Sequence, residues 1–307
     1  MPRVQLTAAG GWVIVPGITP IIRILKSRPQ EEPVTSSVAV SIATRFTPAM
    51  LAGLLLAQPA FADESTEALA KKLANPIAAL ISVPLQLNYT QNIGPVDDGT
   101  QWVLNVQPVI PMSIGEKWNL ISRTIVPVVS QDDVYPGAGN QFGLGDTVQS
   151  LFFSPKAPTS SGLIWGVGPV FLLPTGTNDL LSGEKWGAGP TAVLLKQKGP
   201  WTVGFLGNHI WSFAGNDDRS DISSTLVQPF VSYTTPKAIT YGMNTESTYD
   251  WETEQWSVPL NFTVAKMTRV GKQLVSFTGG VGYYAEATDT GADGWKFRAI
   301  VTLLYPK

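Results

Sequence analysis

His209 is the only histidine in the chain, and there is no cysteine. A histidine-rich or cysteine-based metal centre is therefore excluded, and any serine–histidine hydrolysis would have to run through His209. The residues that follow it are Ile210, Trp211 and Ser212. Two glycine runs, Gly143-Leu-Gly145 and Gly279-Gly-Val-Gly282, resemble phosphate-cradling loops at first sight. Neither opens a helix after a strand, and glycines inside strands more often mark bends. No cofactor, no metal and no enzymatic activity are expected. With a net charge of -2, the chain shows no basic surplus for nucleic acid.

What remains to do chemistry is a set of polar and charged residues scattered along apolar segments. The last of these segments, Trp295-Lys-Phe-Arg-Ala-Ile-Val-Thr-Leu-Leu-Tyr305, shows how they are arranged. One parity carries Trp295, Phe297, Ala299, Val301, Leu303 and Tyr305, and the other begins with Lys296 and Arg298. A tilted strand of about ten residues crosses a bilayer. The parity with aromatics at both ends would face lipid. Hydrocarbon leaves no partner for a free strand edge, so a spanning strand implies a closed barrel.

Composition agrees with a barrel. The 307 residues are 44% hydrophobic and only 14% charged, with 29 glycines, 10 tryptophans and a mean hydropathy of +0.09. Soluble domains carry about a quarter charged residues. No run of eighteen apolar residues is present to make a membrane helix. A secreted β-sandwich shares the alternation and the turns, and is the competing fold. The absence of cysteine fits an oxidising compartment.

Residues 1–62 read as a leader. Prolines at 2, 16, 20, 29 and 33 break any early pattern, which suits an over-extended start. Arg45 then precedes an apolar core at 50–57, and Ala60-Phe-Ala62 has the small residues of a cleavage site. A signal peptide cleaved after Ala62, with a mature chain from Asp63, follows. Residues 63–80 hold a short amphipathic helix capped by Ser65 or Thr66, with Leu69, Leu73 and Ile77 on one stripe and Pro76 at its end. We expect this periplasmic helix to pack under the barrel; a plug is the alternative.

Residues 81–307 alternate strands and turns. Twelve strands are expected, at 82–91, 101–111, 118–130, 146–154, 163–175, 188–197, 201–213, 223–235, 238–251, 256–270, 273–287 and 295–305. Strands 118–130 and 163–175 are apolar on both faces. The connections alternate in charge. Asp97-Asp98, Asp132-Asp133, Asp179 with Glu184, Asp217-Asp218 with Asp221, Glu252 with Glu254, and Asp289 with Asp293 fall at one end. Lys117, Lys156, Lys196 with Lys198, Lys237, and Arg269 with Lys272 fall at the other; Glu116, Lys185 and Arg219 are the exceptions. In a barrel whose termini are both periplasmic, the acidic loops would be extracellular, where they could hold the divalent ions that bridge lipopolysaccharide.

The chain also resembles a family. Leu69-Ala-Lys-Lys-Leu-Ala-Asn-Pro-Ile-Ala-Ala-Leu-Ile-Ser-Val-Pro84, then Leu85-Gln-Leu-Asn88, Ile93-Gly94, Gly143-Leu-Gly-Asp146, Ser154-Pro155, Gly166-Val-Gly-Pro169, Leu173-Pro-Thr175, Gly187-Ala-Gly-Pro190 and the set Asn208, Trp211, Phe213 carry the likeness. They resemble the MetA-pathway-of-phenol-degradation family of Gram-negative outer-membrane proteins, whose bacterial members are often mislabelled neuromedin U. The resemblance covers most of the mature chain. It implies an exported, porin-like barrel and suggests small-molecule uptake; insertion by the barrel-assembly machinery is expected of such a barrel. It supplies no catalytic or binding residues. Barrels commonly finish on an aromatic, whereas Pro306-Lys307 follow Tyr305 here.

The fold expected is thus all-β: an antiparallel transmembrane β-barrel of about twelve strands with a short N-terminal helix and a preceding signal peptide. Parity turns Asn105, Gln107, Arg123, Asn208, Gln228, Asn244, Glu246, Glu286, Lys296 and Arg298 toward the lumen. A basic side chain facing lipid at midplane costs about 2–4 kcal/mol, so such charges turn inward and pair. These residues either line a narrow mixed-charge path for small, aromatic or hydrophobic solutes or form a salt-bridged filling in a structural or surface-interaction barrel. A channel or transporter is the function expected. A hydrolase is the remote alternative: the outer-membrane phospholipase also has twelve strands, but its nucleophile lies two residues after its histidine, where this chain has Trp211.

Overall fold

The computed structural model describes residues 65–305. The leader, its cleavage after Ala62, the start at Asp63 and the ending Pro306-Lys307 lie outside the described residues. One helix, α1 (Thr66–Leu73), precedes fifteen strand segments: β1 (Ile81–Ile93), β2 (Gly99–Val106), β3 (Val109–Ile114), β4 (Trp118–Asp132), β5 (Asn140–Leu144), β6 (Thr147–Pro155), β7 (Leu163–Leu173), β8 (Lys185–Lys198), β9 (Trp201–Gly215), β10 (Ser223–Thr234), β11 (Ile239–Thr245), β12 (Ser247–Asp250), β13 (Gln255–Val270), β14 (Gln273–Glu286) and β15 (Trp295–Tyr305).

Three pairs of segments, β2 with β3, β5 with β6 and β11 with β12, are single staves interrupted by one or two residues. The fifteen segments therefore build twelve staves, as expected from the alternation. Each stave is antiparallel to its neighbours, and β15 returns to β1 with Ile81 opposite Tyr305 and Tyr89 opposite Phe297. The sheet closes, so no edge remains to be satisfied. A sandwich is thereby excluded.

Strand entry and exit at Ile81 and Tyr305 lie at the same end of the cylinder. That end has the short connections, such as 199–200 and 271–272, and the opposite end has the long ones, such as 174–184 and 287–294. The charge segregation maps onto these two ends. Both basic exceptions at the acidic end are paired there: Lys185 with Asp221 at 3.1 Å and Arg219 with Glu184 at 2.6 Å.

The outward parity is apolar between two aromatic girdles. Trp118 with Trp165 and Trp201 with Tyr233 stand toward the short-turn end, and Tyr89 with Trp102, Tyr249 with Trp256 and Tyr283 with Trp295 toward the long-loop end. Amphipathic rings favour such interfacial positions.

The inward face is divided. From β4 round to β10 it carries Ile121, Phe152, Val193, Leu195, Leu206 and Leu226, all buried, and above them Ile125, Val148, Val170, Leu172 and Ile210. This is why strands 118–130 and 163–175 look apolar on both sides. From β11 through β15 to β2 the same face carries Gln86, Asn88, Asn105, Glu246, Asn261, Lys296 and Arg298, also buried. A twelve-strand barrel lies between the sizes that are filled by side chains and those that hold a wide water channel. Here one half of the wall is packed and the other is polar.

Candidate functional site

The polar half is organised by Glu246, which interrupts the stave between β11 and β12. Arg298 donates to both of its carboxylate oxygens, Nη1 to Oε1 at 2.9 Å and Nη2 to Oε2 at 2.7 Å. Lys296 lies 3.5 Å from Oε2, and Asn244 donates to Oε1 at 3.4 Å. The Arg298 Nε–H donates to Asn88 Oδ1 at 2.8 Å, on the neighbouring strand β1. Such forked, charge-assisted contacts are the strong ones.

The two cations start on β15 and must cross β14 and β13 to reach Glu246. Glycines make that crossing possible. Gly280 and Gly282 of β14 are registered with Arg298 and Lys296, and a Cβ at Gly282 would meet Asn261 Oδ1 at 2.7 Å and Lys296 Cβ at 3.5 Å. The run Gly279-Gly-Val-Gly282 is thus a passage for long side chains, not a phosphate loop.

Across the interior, Arg123 of β4 accompanies Gln107, whose Oε1 accepts from its Nη2 at 3.3 Å. Among the described residues it has no carboxylate within ion-pair reach. Between Arg123 and the Glu246 cluster lies an interior cavity of about 320 Å³, adjoined by another of about 260 Å³; Gln107, Arg123, Gln228, Phe230 and Asn244 line both. Glu246 and Arg298 border the larger one, and Leu206 and Val109 the smaller. One side of this space is apolar and the other is charged.

Both ends of the space are occupied. At the short-turn end, α1 is capped by the Ser65 hydroxyl, which accepts from Ala68 N at 3.1 Å. Leu69, Ala70, Ala78 and Leu80 pack against Met267, Leu274, Leu304 and Ala238, and Ile77 packs against Ile121 and Phe152. Met267, Leu274, Leu304, Ile121 and Phe152 are on the inward parity, so residues 66–80 run from one interior wall to the other. Gln197 fastens the helix end by donating to Lys71 O at 2.8 Å.

At the long-loop end, the connection 174–184 folds inward. Leu181 is fully buried against Val103 and Val129. Asp146, at the interruption between β5 and β6, holds this loop: its Oδ1 accepts from Gly176 N at 3.0 Å and Ser182 Oγ at 2.7 Å, and its Oδ2 from Gly183 N at 2.7 Å. A row of glutamines, Gln101 to Gln131 at 2.8 Å and Gln131 to Gln141 at 3.0 Å, lies beside it, and Gln131 also donates to Leu180 O. Replacing Asp146 with Asn turns one acceptor oxygen into a donor facing backbone N–H groups. We expect a loss of about 1–3 kcal/mol of loop anchoring, seen as faster proteolysis within residues 174–184 while the barrel stays folded.

The Glu184–Arg219 contact joins two loops at this end, and Asn216 also donates to Glu184. Hydrogen bonds from Arg219 and Asn216 hold the Glu184 carboxyl below its ordinary range. A depressed carboxyl contributes above its unfolded value and stops contributing as pH falls through its folded one. Hydrogen exchange at 216–219, corrected for intrinsic rate, should therefore be flat from neutral pH to the ordinary carboxylate range and rise below it.

Of the lumen residues expected from sequence, Gln107, Arg123, Gln228, Asn244, Glu246 and Arg298 border the cavities, and Lys296 lies behind Glu246. Asn105 and Asn208 are buried, with Asn105 Nδ2 and Asn208 Oδ1 unpartnered. Glu286 is different: it ends β14, is exposed, and stands at the long-loop rim opposite Val258. Gln86, Asn88 and Asn261 join the polar wall without having been expected there; the alternation of Gln86, Asn88 and Thr90 with Leu85, Leu87 and Tyr89 carried the signal for the first two. His209 faces outward in the girdle, its Nδ1 2.7 Å from Thr225 Oγ1 and its ring 3.9 Å from that of Trp211. Ser212, on the opposite parity, bonds Asp221 and Ile222 instead. No Ser–His pair forms among the described residues. Among the described residues no cluster of His, Asp or Glu could hold a metal ion, and no helix is long and apolar enough to cross a membrane.

No protein-family model matches this sequence, and no curated protein sequence matches it. Solved structures do. A COG4313 outer membrane channel from Pseudomonas putida F1 is similar with a TM-score of 0.60 at 14% identity, over 74% of this chain and 96% of that one. Outer membrane phospholipase A from Escherichia coli is similar at 0.43 and 10% identity, over 73% and 96%, and the β domain of the Bordetella autotransporter BrkA at 0.42 and 12%, over 73% and 99%. The chain has the fold of an outer-membrane β-barrel. Within that fold, its own arrangement is a twelve-stave cylinder with a two-sided cavity between an inserted helix and an inserted loop.

Proposed function

We propose that the protein is an outer-membrane channel for small amphipathic molecules, with both termini periplasmic, acidic loops extracellular and residues 66–80 acting as a plug. The observation that carries this is the cavity whose walls differ: Phe230, Leu206 and Val109 offer a surface for a ring or alkyl portion, and Arg123, Gln107 and Asn244 one for a hydroxyl or carboxylate. The division of short turns from long loops supports the orientation. The resemblance to the phenol-degradation family, and the naming of the similar solved barrel as a channel, support the function and suggest aromatic solutes. Acidic outer loops suit contacts with divalent ions and lipopolysaccharide, and the closed strand ladder suits insertion by the barrel-assembly machinery. The occupied ends favour a second reading, a structural barrel with a filled lumen.

Planar bilayers separate these. Purified protein should give discrete conductance steps, favour anions because Arg123 lacks a paired carboxylate, and be blocked by small aromatic carboxylates. Arg123→Gln should lower both the anion preference and the block. Silence from normally inserted protein would favour the structural barrel.

A further inference from the structure

The barrel wall is interrupted at one height across three neighbouring staves. Between β10 and its neighbour, Val227 is registered with Ser247 and Phe230 with Asn244, and no pair is registered among Gln228, Pro229, Thr245 and Glu246. On the other side, pairing with β13 runs to Thr245–Leu260 and resumes at Thr248–Ser257, leaving Glu246 and Ser247 opposite Pro259 and Val258. Strand β13 then slips against β14 between Val258 and Pro259. Prolines 229 and 259 supply no N–H to a ladder, and within sheets proline is confined to edges and bulges. At membrane depth, irregular backbone is tolerated only where it is buried or lines a cavity.

This seam has a cavity on both sides. Inside is the 320 Å³ space bordered by Glu246; outside is a groove of about 530 Å³ among the outward residues Val203, Val231, Met243, Leu260 and Phe262, with Pro229 and Thr245 in its floor. Phe230, Val231, Met243 and Asn244 line both. A single layer of chain separates them. The groove has the volume of a small-molecule site, about 300–1,000 Å³; the girdle pair Tyr283 and Trp295 borders it at one end, and from there it runs over the apolar outward face that lipid chains cover.

We infer that this seam is a lateral portal: an alkyl chain from the bilayer core seats in the outer groove and reaches the lumen between Gln228–Pro229 and Thr245–Glu246. The inference rests on the outer-membrane reading above and adds a route through the wall. Because the chain has no cysteine, the seam can be locked with Pro229→Cys and Thr245→Cys, which the register on either side, Phe230 with Asn244 and Val227 with Ser247, places across from each other. Full-length protein is reconstituted with a phospholipid bearing a diazirine near the end of one acyl chain, irradiated, and its adducts mapped. Adducts are expected on the inward residues Gln228 and Asn244, lost on oxidation of the cysteine pair and regained on reduction. Should that pair fail to form, Pro229→Val with Pro259→Val restores the missing donors and should abolish the same adducts. Labelling confined to outward Met243, Leu260 and Phe262 in the unaltered protein overturns the portal, as does inward labelling that persists in both variants. Solute flux into the same vesicles keeps the two readings apart. Flux without inward adducts defeats the portal alone, and inward adducts without flux defeat the channel while supporting the portal.

Discussion

Replacing Glu246 with glutamine will destabilise the barrel by about 3–5 kcal/mol, the range for removing one partner of a buried charge pair. The carboxylate is the only acidic group within ion-pair reach of Arg298 and Lys296 among the described residues. Arg298 and Lys296 are each more than nine-tenths buried, so neither can recover its lost partner from bulk water. Were the pair at the surface, the same change would cost under about 1 kcal/mol. Glutamine keeps the shape and one acceptor, which isolates the charge as the cause. Denaturant unfolding in detergent micelles measures the loss, and the double variant Glu246→Gln with Arg298→Met checks its origin. Removing Arg298 as well should restore part of the stability, because an intact buried pair and a well-packed apolar substitute differ little; the part not restored is that of Lys296, which still lacks its carboxylate. In a conducting protein the single variant should also shift the reversal potential toward anions. A loss no larger than a surface pair's would mean that water screens the cluster.

The outward face and the strand count were legible in the sequence because lipid imposes one rule on every stave, apolar at alternate positions with aromatics at the ends. Trp295 to Tyr305 states it without exception on one parity. The inward face obeys no single rule. Ile121, Phe152, Val193 and Leu206 are inside because they pack on one another and on Ile77, residues far apart in the chain, so periodicity made those staves ambiguous where packing settles them. Local breaks were also invisible. The stretch 238–251 reads as one strand, yet it divides at Glu246, where a buried carboxylate must turn to meet Arg298 from three staves away. Residues 140–144 carry no strand alternation that the sequence makes visible, yet they pair with β4 through Gln141 and Gln131. Alternation makes Asp146 the first residue of a strand, whereas in the fold it is the carboxylate that draws residues 176–183 inward; only the folded chain brings those backbone donors to it.

Residues 66–80 are attached to the cylinder by side chains and not by the strand ladder, and this separates their stability from that of the barrel. Leu69 is completely buried between Met267, Leu274 and Leu304. Burial of a leucine contributes about 1.5–3 kcal/mol, and an aspartate in the same place loses that and must also be desolvated. Leu69→Asp should therefore lower the ratio of seated to released helix by roughly one to two powers of ten or more, since about 1.4 kcal/mol corresponds to a factor of ten. The twelve staves keep their hydrogen bonds, so strand circular dichroism and detergent-resistant migration should stay as in the parent protein. Conductance should rise if this segment is what closes the short-turn end, with longer open times and weaker dependence on voltage. Ile77→Asp adds a second test from the opposite wall, where Ile77 contacts Ile121 and Phe152. Because the two side chains lie on one continuous segment, their effects should be less than additive: once either anchor is lost, releasing the other costs less. Full additivity, with each variant raising conductance independently, would show that α1 and the Pro76–Leu80 stretch release separately, and unchanged conductance in the double variant would place the constriction at Leu181 and the loop held by Asp146.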